Sequence, residues 1–261
     1  MGYLNHNVGH RKELLTTRSV VKKNNYVILE PDGLVKNAIP GYTNCDVTIL
    51  ASPELGASFA DYLVTAHAGG RNDGVGGEGI EVFLYVVSGE IAAANEDGSQ
   101  RLTEGGYFYS PANRTMTFQN QSGRDAVLYV YRRRYLPYQD LKPGTVTGSV
   151  QDLEWVEYEG MSNCHIKDLL PAAGNFAFDM NMHILKFAPG ASHGYVETHF
   201  QEHGMYFLQG KGVYLLDEEW IPLEKGDYVF MDSYCPQCCY GAGDEDYIYI
   251  YSKDCNRDVQ L

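Results

Sequence analysis

The stretch His183 to Met231, HILKFAPGASHGYVETHFQEHGMYFLQGKGVYLLDEEWIPLEKGDYVFM, decides the fold. Its apolar runs, Met205 to Leu208, Val213 to Leu216 and Tyr228 to Met231, are short and separated by glycines, as strands between tight turns are. Val82 to Val87, Ala126 to Tyr131 and Tyr247 to Tyr251 repeat the pattern elsewhere, and few windows show helical spacing. With 28 glycines and 21 tyrosines in 261 residues, the composition points to an all-β sandwich or barrel. Laid over itself, the chain repeats. YVVSGEI (85–91) matches FLQGKGV (207–213) around Gly89 and Gly210, and EGGYFYSP (104–111) matches EKGDYVFMD (224–232) around Gly105 and Gly226, both at an offset of 121 residues. The same shift lays YLVTAHAG (62–69) on HILKFAPG (183–190). A duplicated β domain follows, with a junction in the turn-rich Lys142 to Ser149 segment, so that residues 1–148 and 149–261 form two tandem jelly-roll barrels.

Charge limits the partners. The excess of 34 acidic over 20 basic side chains gives a net charge of -14, which repels nucleic acid and anionic membranes. The one basic run, Arg132 to Arg134, reads as the solvated end of a strand or a subunit contact. No apolar run approaches the ~18 residues needed to cross a bilayer. The six cysteines, without a signal-peptide pattern ahead of them, fit a reducing cytoplasm. Cys235, Cys238 and Cys239 include one CxxC spacing, but no second pair completes a zinc set.

The chemistry concentrates in the second half. Glu197, His199 and His203 precede Gly210, and Gln237 follows Gly226 by eleven residues. Residues two apart on a strand face one way, so Glu197 and His199 point inward together, and His203 joins them beyond a local turn. One imidazole in a barrel mouth is an ordinary satisfied side chain; a carboxylate, two imidazoles and an amide oxygen at these spacings form a mixed N/O donor set suited to Mn(II), Fe(II) or Ni(II). The pattern resembles the two signatures of the cupins, with Glu197 in the first His place, His203 in the Glu place and Gln237 in the last His place. Shifted back by 121, these positions are Gly76, Glu78, Val82 and Met116, so the first barrel is expected to be metal-free and to serve packing and assembly.

The order ExHxxxH followed by Gln, with FDMNMHILKFAPGASHGYVETHFQEHG from Phe178, GVYLLDEEWIPLEKGDYVFM from Gly212, YSKDCNRDV from Tyr251 and GLVKNAIPGYTNCDVTILASPELGASFADYLV in the first half, resembles the (S)-ureidoglycine aminohydrolase family of bicupins over nearly the whole chain. The resemblance implies a hydrolase that releases ammonia from (S)-ureidoglycine to give (S)-ureidoglycolate in purine and allantoin breakdown, with one Mn(II) per chain in the C-terminal cupin. By matching positions it implies Glu197, His199, His203 and Gln237 as metal ligands and Glu197, Tyr214, Tyr249 and Lys253 as substrate-binding residues, with Glu197 and Lys253 catalytic. A small-molecule substrate and a homo-oligomer are the expected partners. The competing readings are another Mn or Fe cupin enzyme, a dioxygenase or decarboxylase, and a non-enzymatic small-molecule-binding bicupin. Intact ligand positions argue against the last.

Overall fold

The computed structural model describes residues 17–259. Apart from three short 3-10 turns its regular elements are strands, and no helix among the described residues is long and apolar enough to cross a membrane. The chain forms two compact units. Of the described residues, one comprises 17–34, Trp155–Lys167 and Met182–Lys253; the other comprises Val35–Glu154, Asp168–Asn181 and 254–259.

The repeat is visible strand by strand. Glu90–Asn95 and Gly98–Thr103 return 121 residues later as the hairpin Lys211–Leu216 and Glu219–Glu224. Ile80–Ser88 and Ala126–Arg134, antiparallel neighbours in one unit, correspond to His203–Gln209 and Tyr247–Asp254, antiparallel neighbours in the other. The aligned glycines explain why the register survived. Gly89 and Gly210 both have left-handed backbone, φ +83° and +75°, and a Cβ on either would strike a carbonyl oxygen, of Asp125 at 2.7 Å and of Asp246 closer still. Only glycine meets both demands.

The unit containing most of the second half is an eight-stranded sheet, in the order Val20–Lys22, Tyr26–Leu29, Tyr228–Met231, His203–Gln209, Tyr247–Asp254, Met180–Phe187, Cys164–Asp168 and Val156–Glu157. A three-stranded sheet of Glu219–Glu224, Lys211–Leu216 and Gln237–Gly241 accompanies it. Its core is aromatic: Phe207 stacks on Tyr247 at 5.2 Å and lies against Tyr249 at 5.1 Å, beside buried Leu216, Leu223 and Met231.

The units differ from a single division at residue 148. Residues 17–34 belong with the second-half strands, because Tyr26–Leu29 pairs with Tyr228–Met231 from Tyr26 opposite Met231 to Leu29 opposite Tyr228. Without it the backbone edge of Tyr228–Met231 would lie open. Arg18 fastens the same stretch through two 2.8 Å hydrogen bonds from its guanidinium to the carboxylate of buried Asp227.

In the other unit the ten-stranded sheet encloses an apolar interior of Val64, Val82, Leu84, Met116, Phe118 and Leu128 among others. Val82 and Met116, the positions matched to His203 and Gln237, are fully buried within it. The run Arg132 to Arg134 is not uniformly solvated. Strand alternation turns Arg133 inward, 7% exposed, where the negative charges of Asp179 and Glu81 act on it.

Candidate functional site

Gln237 anchors the site. Its strand is bonded on one side to Lys211–Leu216, and on the other its backbone exchanges both hydrogen bonds with Glu197, at 2.7 and 2.9 Å. That isolated bridge, not a continuous strand, fixes Glu197 beside Gln237. His199 lies in the following loop, its carbonyl accepting from the Tyr234 amide at 2.7 Å. His203 opens the next strand and is 4% exposed. Alternation along an extended segment is therefore not what gathers these residues; a bridge, a loop and a strand start do.

Both imidazoles are held by their Nδ1 atoms. His203 Nδ1 lies 2.8 Å from the Ser252 carbonyl and His199 Nδ1 lies 3.0 Å from the Gln201 carbonyl. A carbonyl only accepts, so each Nδ1 carries the proton and each Nε2 presents a lone pair. The two imidazole Nε2 atoms face each other at 3.2 Å, and the side-chain amide nitrogen of Gln237, a donor, stands 3.0 Å from His199 Nε2, its oxygen being turned to Tyr214. Lone pair against lone pair is unfavourable unless an electrophile lies between them. A proton is a poor candidate, because burial first, then the His199 charge, holds His203 well below the usual imidazole range. Two nitrogens about 2.1 Å from one ion and at right angles stand about 3.0 Å apart, so the pair fits a divalent cation. Among the described residues no group of three or more His, Cys, Asp or Glu side chains stands together as a donor set. The convergent atoms here are two imidazole nitrogens and the amide nitrogen of Gln237, and the Glu197 carboxylate bonds neither ring.

Glu197, His203 and Gln237 line one pocket with Tyr158, Leu185, His193, Met205, Tyr214, Tyr249, Tyr251 and Lys253. Burial pushes the Glu197 carboxyl up, and the Lys253 ammonium opposes the rise. Tyr158 also opposes it, to a smaller degree. Half-buried Lys253 makes no hydrogen bond or close ion pair among the described residues, which leaves its ammonium free to take an anion. Tyr214 and Tyr249 share a hydrogen bond at 3.3 Å, and Tyr214 also donates to Gln237 Oε1 at 3.3 Å, so Tyr214 stands behind the amide and sets its orientation. Burial raises both phenol pKa values far above their ordinary range, which keeps them as donors.

Sequence reasoning missed Tyr158 and His193. Tyr158 arrives on a turn with no periodic signal. His193 shares parity with Glu197 and His199, which is the one cue available. Cys238 and Cys239 are adjacent on a strand and face opposite sides, so the cysteine cluster does not converge on one ion.

The cupin domain family model matches residues 183–251, the part of the chain that carries His199, His203, Gln237 and Tyr249. The chain is similar to the (S)-ureidoglycine aminohydrolase of Escherichia coli K12, at 56% identity over the whole of both chains. It is also similar to a probable (S)-ureidoglycine aminohydrolase of rice, at 31% identity over 93% of this chain and 76% of the relative. Among solved structures, the E. coli protein YlbA superposes with a TM-score of 0.87 at 54% identity, covering 97% of this chain and 100% of that one.

Proposed function

Because this chain belongs to the (S)-ureidoglycine aminohydrolase family, we propose that its pocket releases ammonia from (S)-ureidoglycine by hydrolysis and yields (S)-ureidoglycolate, with one manganese ion as resident cofactor. The observation that carries the cofactor is the pair of Nε2 atoms 3.2 Å apart, both fixed as acceptors. His199 and His203 would hold the ion, with the Gln237 amide turned to offer Oε1 in place of its NH2 group and Glu197 completing the set from the adjacent wall. When bound, such a cation supplies Lewis-acid stabilisation of charge developing on the substrate.

The chain's own residues do the rest. The Lys253 ammonium pairs with the substrate carboxylate, and the Tyr249 hydroxyl beside it donates a second hydrogen bond. That contact fixes which face of the reacting carbon meets water, and so a single product enantiomer. The ureido nitrogen on that carbon stabilises the electron-poor centre left as the amine departs. Glu197, its carboxyl raised by burial, takes a proton from the incoming water and returns one to the leaving amine.

The N-terminal barrel takes the packing and assembly role. Self-association finds support in the outer face of the three-stranded sheet, where Trp220 and Tyr240, 49% and 46% exposed, lie ring against ring at 5.4 Å. Six free thiols suit a cytoplasmic enzyme. The decisive experiment is ammonia release from freshly generated (S)-ureidoglycine with chiral analysis of the product. Ammonia with (S)-ureidoglycolate supports the reading, whereas oxygen uptake or carbon dioxide release without ammonia refutes it.

A further inference from the structure

One pocket side chain has no part in the chemistry above. The segment from Gly190 runs antiparallel to Gln237–Gly241, bonded Gly190 to Gly241 at 2.8 Å, Gly241 to Ala191 at 2.9 Å, His193 to Cys239 at 3.0 Å and Glu197 to Gln237 at 2.7 Å. Between the last two links one segment advances four residues and the other only two. The surplus loops outward, leaving Tyr195 and Val196 50% and 52% exposed. A bulge of this kind re-aims side chains. In a regular ladder the Cys239 amide would donate to the carbonyl of residue 193. Here it donates to the His193 ring, at Nδ1, at 3.0 Å.

That substitution fixes the tautomer. An amide N–H only donates, so Nδ1 is an acceptor and the proton sits on Nε2, opposite to the arrangement in His199 and His203. The ring is clamped edge-on by Phe187 at 4.9 Å and by Tyr158 at 6.3 Å, and it is 8% exposed. Its Nε2–H has no hydrogen-bond partner among the described residues, and the side chain lines the pocket beside Glu197 and Lys253. Burial pushes the imidazole down to about 4, so the ring is a neutral donor at working pH.

We propose that His193 orients the substrate by donating its Nε2–H to the ureido carbonyl oxygen, a role that rests on the ureide-hydrolysing reading above. The match is chemical. Lys253 is the only free cation in the lining and suits the carboxylate, while a neutral N–H suits the strongest neutral acceptor of a urea. A substrate held at both ends presents its amine-bearing carbon to Glu197 between them. The same contact selects ureides over amino acids that lack the carbonyl.

Two variants test this. His193→Asn keeps an acceptor where Nδ1 receives the Cys239 amide and removes the donor at Nε2; His193→Gln restores a donor near Nε2. Inhibition constants are measured for N-carbamoylglycine, which has the ureido group and carboxylate but no leaving amine, and for glycolate, which has the carboxylate alone. His193→Asn should weaken N-carbamoylglycine and raise KM for (S)-ureidoglycine by about tenfold, leave glycolate within about twofold, and be largely rescued in His193→Gln. Equal weakening of both inhibitors, or of neither, overturns the assignment. Ammonia release by the unsubstituted protein separates the failures: turnover with an undiscriminating His193→Asn removes only this proposal, and no turnover removes the reading beneath it.

Discussion

Replacing Tyr214 by phenylalanine isolates the support behind the ion site. The ring is 1% exposed and keeps its packing against Phe207 and Tyr249, so the substitution removes one oxygen and little volume. Two hydrogen bonds go with it, to Gln237 Oε1 and to the Tyr249 hydroxyl, both long at 3.3 Å. At about 1 kcal/mol net for each such bond, the total is about 1–2 kcal/mol, part of it lost from folding and part from the alignment of Gln237. Partners that orient ligands typically change cation affinity by about 10–100-fold; these long bonds place Tyr214→Phe near the lower end, about tenfold. Calorimetric titration of chelator-stripped protein with Mn(II) measures it. A double-mutant cycle with Gln237→Leu decides the mechanism, since Tyr214 should have no further effect on affinity once the amide is gone. An undiminished Tyr214→Phe effect in the Gln237→Leu background would refute the route through the amide.

Other outcomes follow from the same geometry. Glu197→Gln should retain bound manganese, measured by elemental analysis, while turnover falls by about 10²–10⁴-fold; retained turnover would remove Glu197 from proton transfer. Lys253→Met should lower kcat/KM by about 10–100-fold through loss of a charged hydrogen bond to the carboxylate, and added small carboxylates should inhibit it more weakly than the parent protein. Metal-free protein should lose stability in urea as pH falls from 6.5 towards 4. His193 and His203 stay neutral in the folded chain but take up protons when it unfolds, and His193 alone contributes up to about 3 kcal/mol of this loss. Stability unchanged across that window would contradict the burial of both rings.

Much of the architecture was legible because duplication leaves a register. Gly89 with Gly210, each in a turn only glycine can make, lay the two halves over each other before any strand is located. The partner of Tyr228–Met231 was not legible: edge strands pair by shape and timing over some two hundred residues, and Tyr26–Leu29 carries no mark of its destination. In the site, the gathering of His199, His203 and Gln237 was legible from the spacing of these residue types. Strand alternation does not account for their convergence, since Glu197 is held by one isolated bridge and His199 by a loop. His193 escaped notice because its role depends on a bulge that exchanges a carbonyl for an imidazole, and nothing in the residue order announces where a ladder will loop out.

Anomalous diffraction from a manganese-loaded crystal, recorded at the manganese edge, bears most directly on whether the paired imidazoles exist to hold an ion. One peak within bonding distance of both His199 Nε2 and His203 Nε2, with the Gln237 amide and Glu197 turned towards it, is the expected result. A fully active crystal with no peak there, or with the two rings parted and the ion elsewhere, would contradict it.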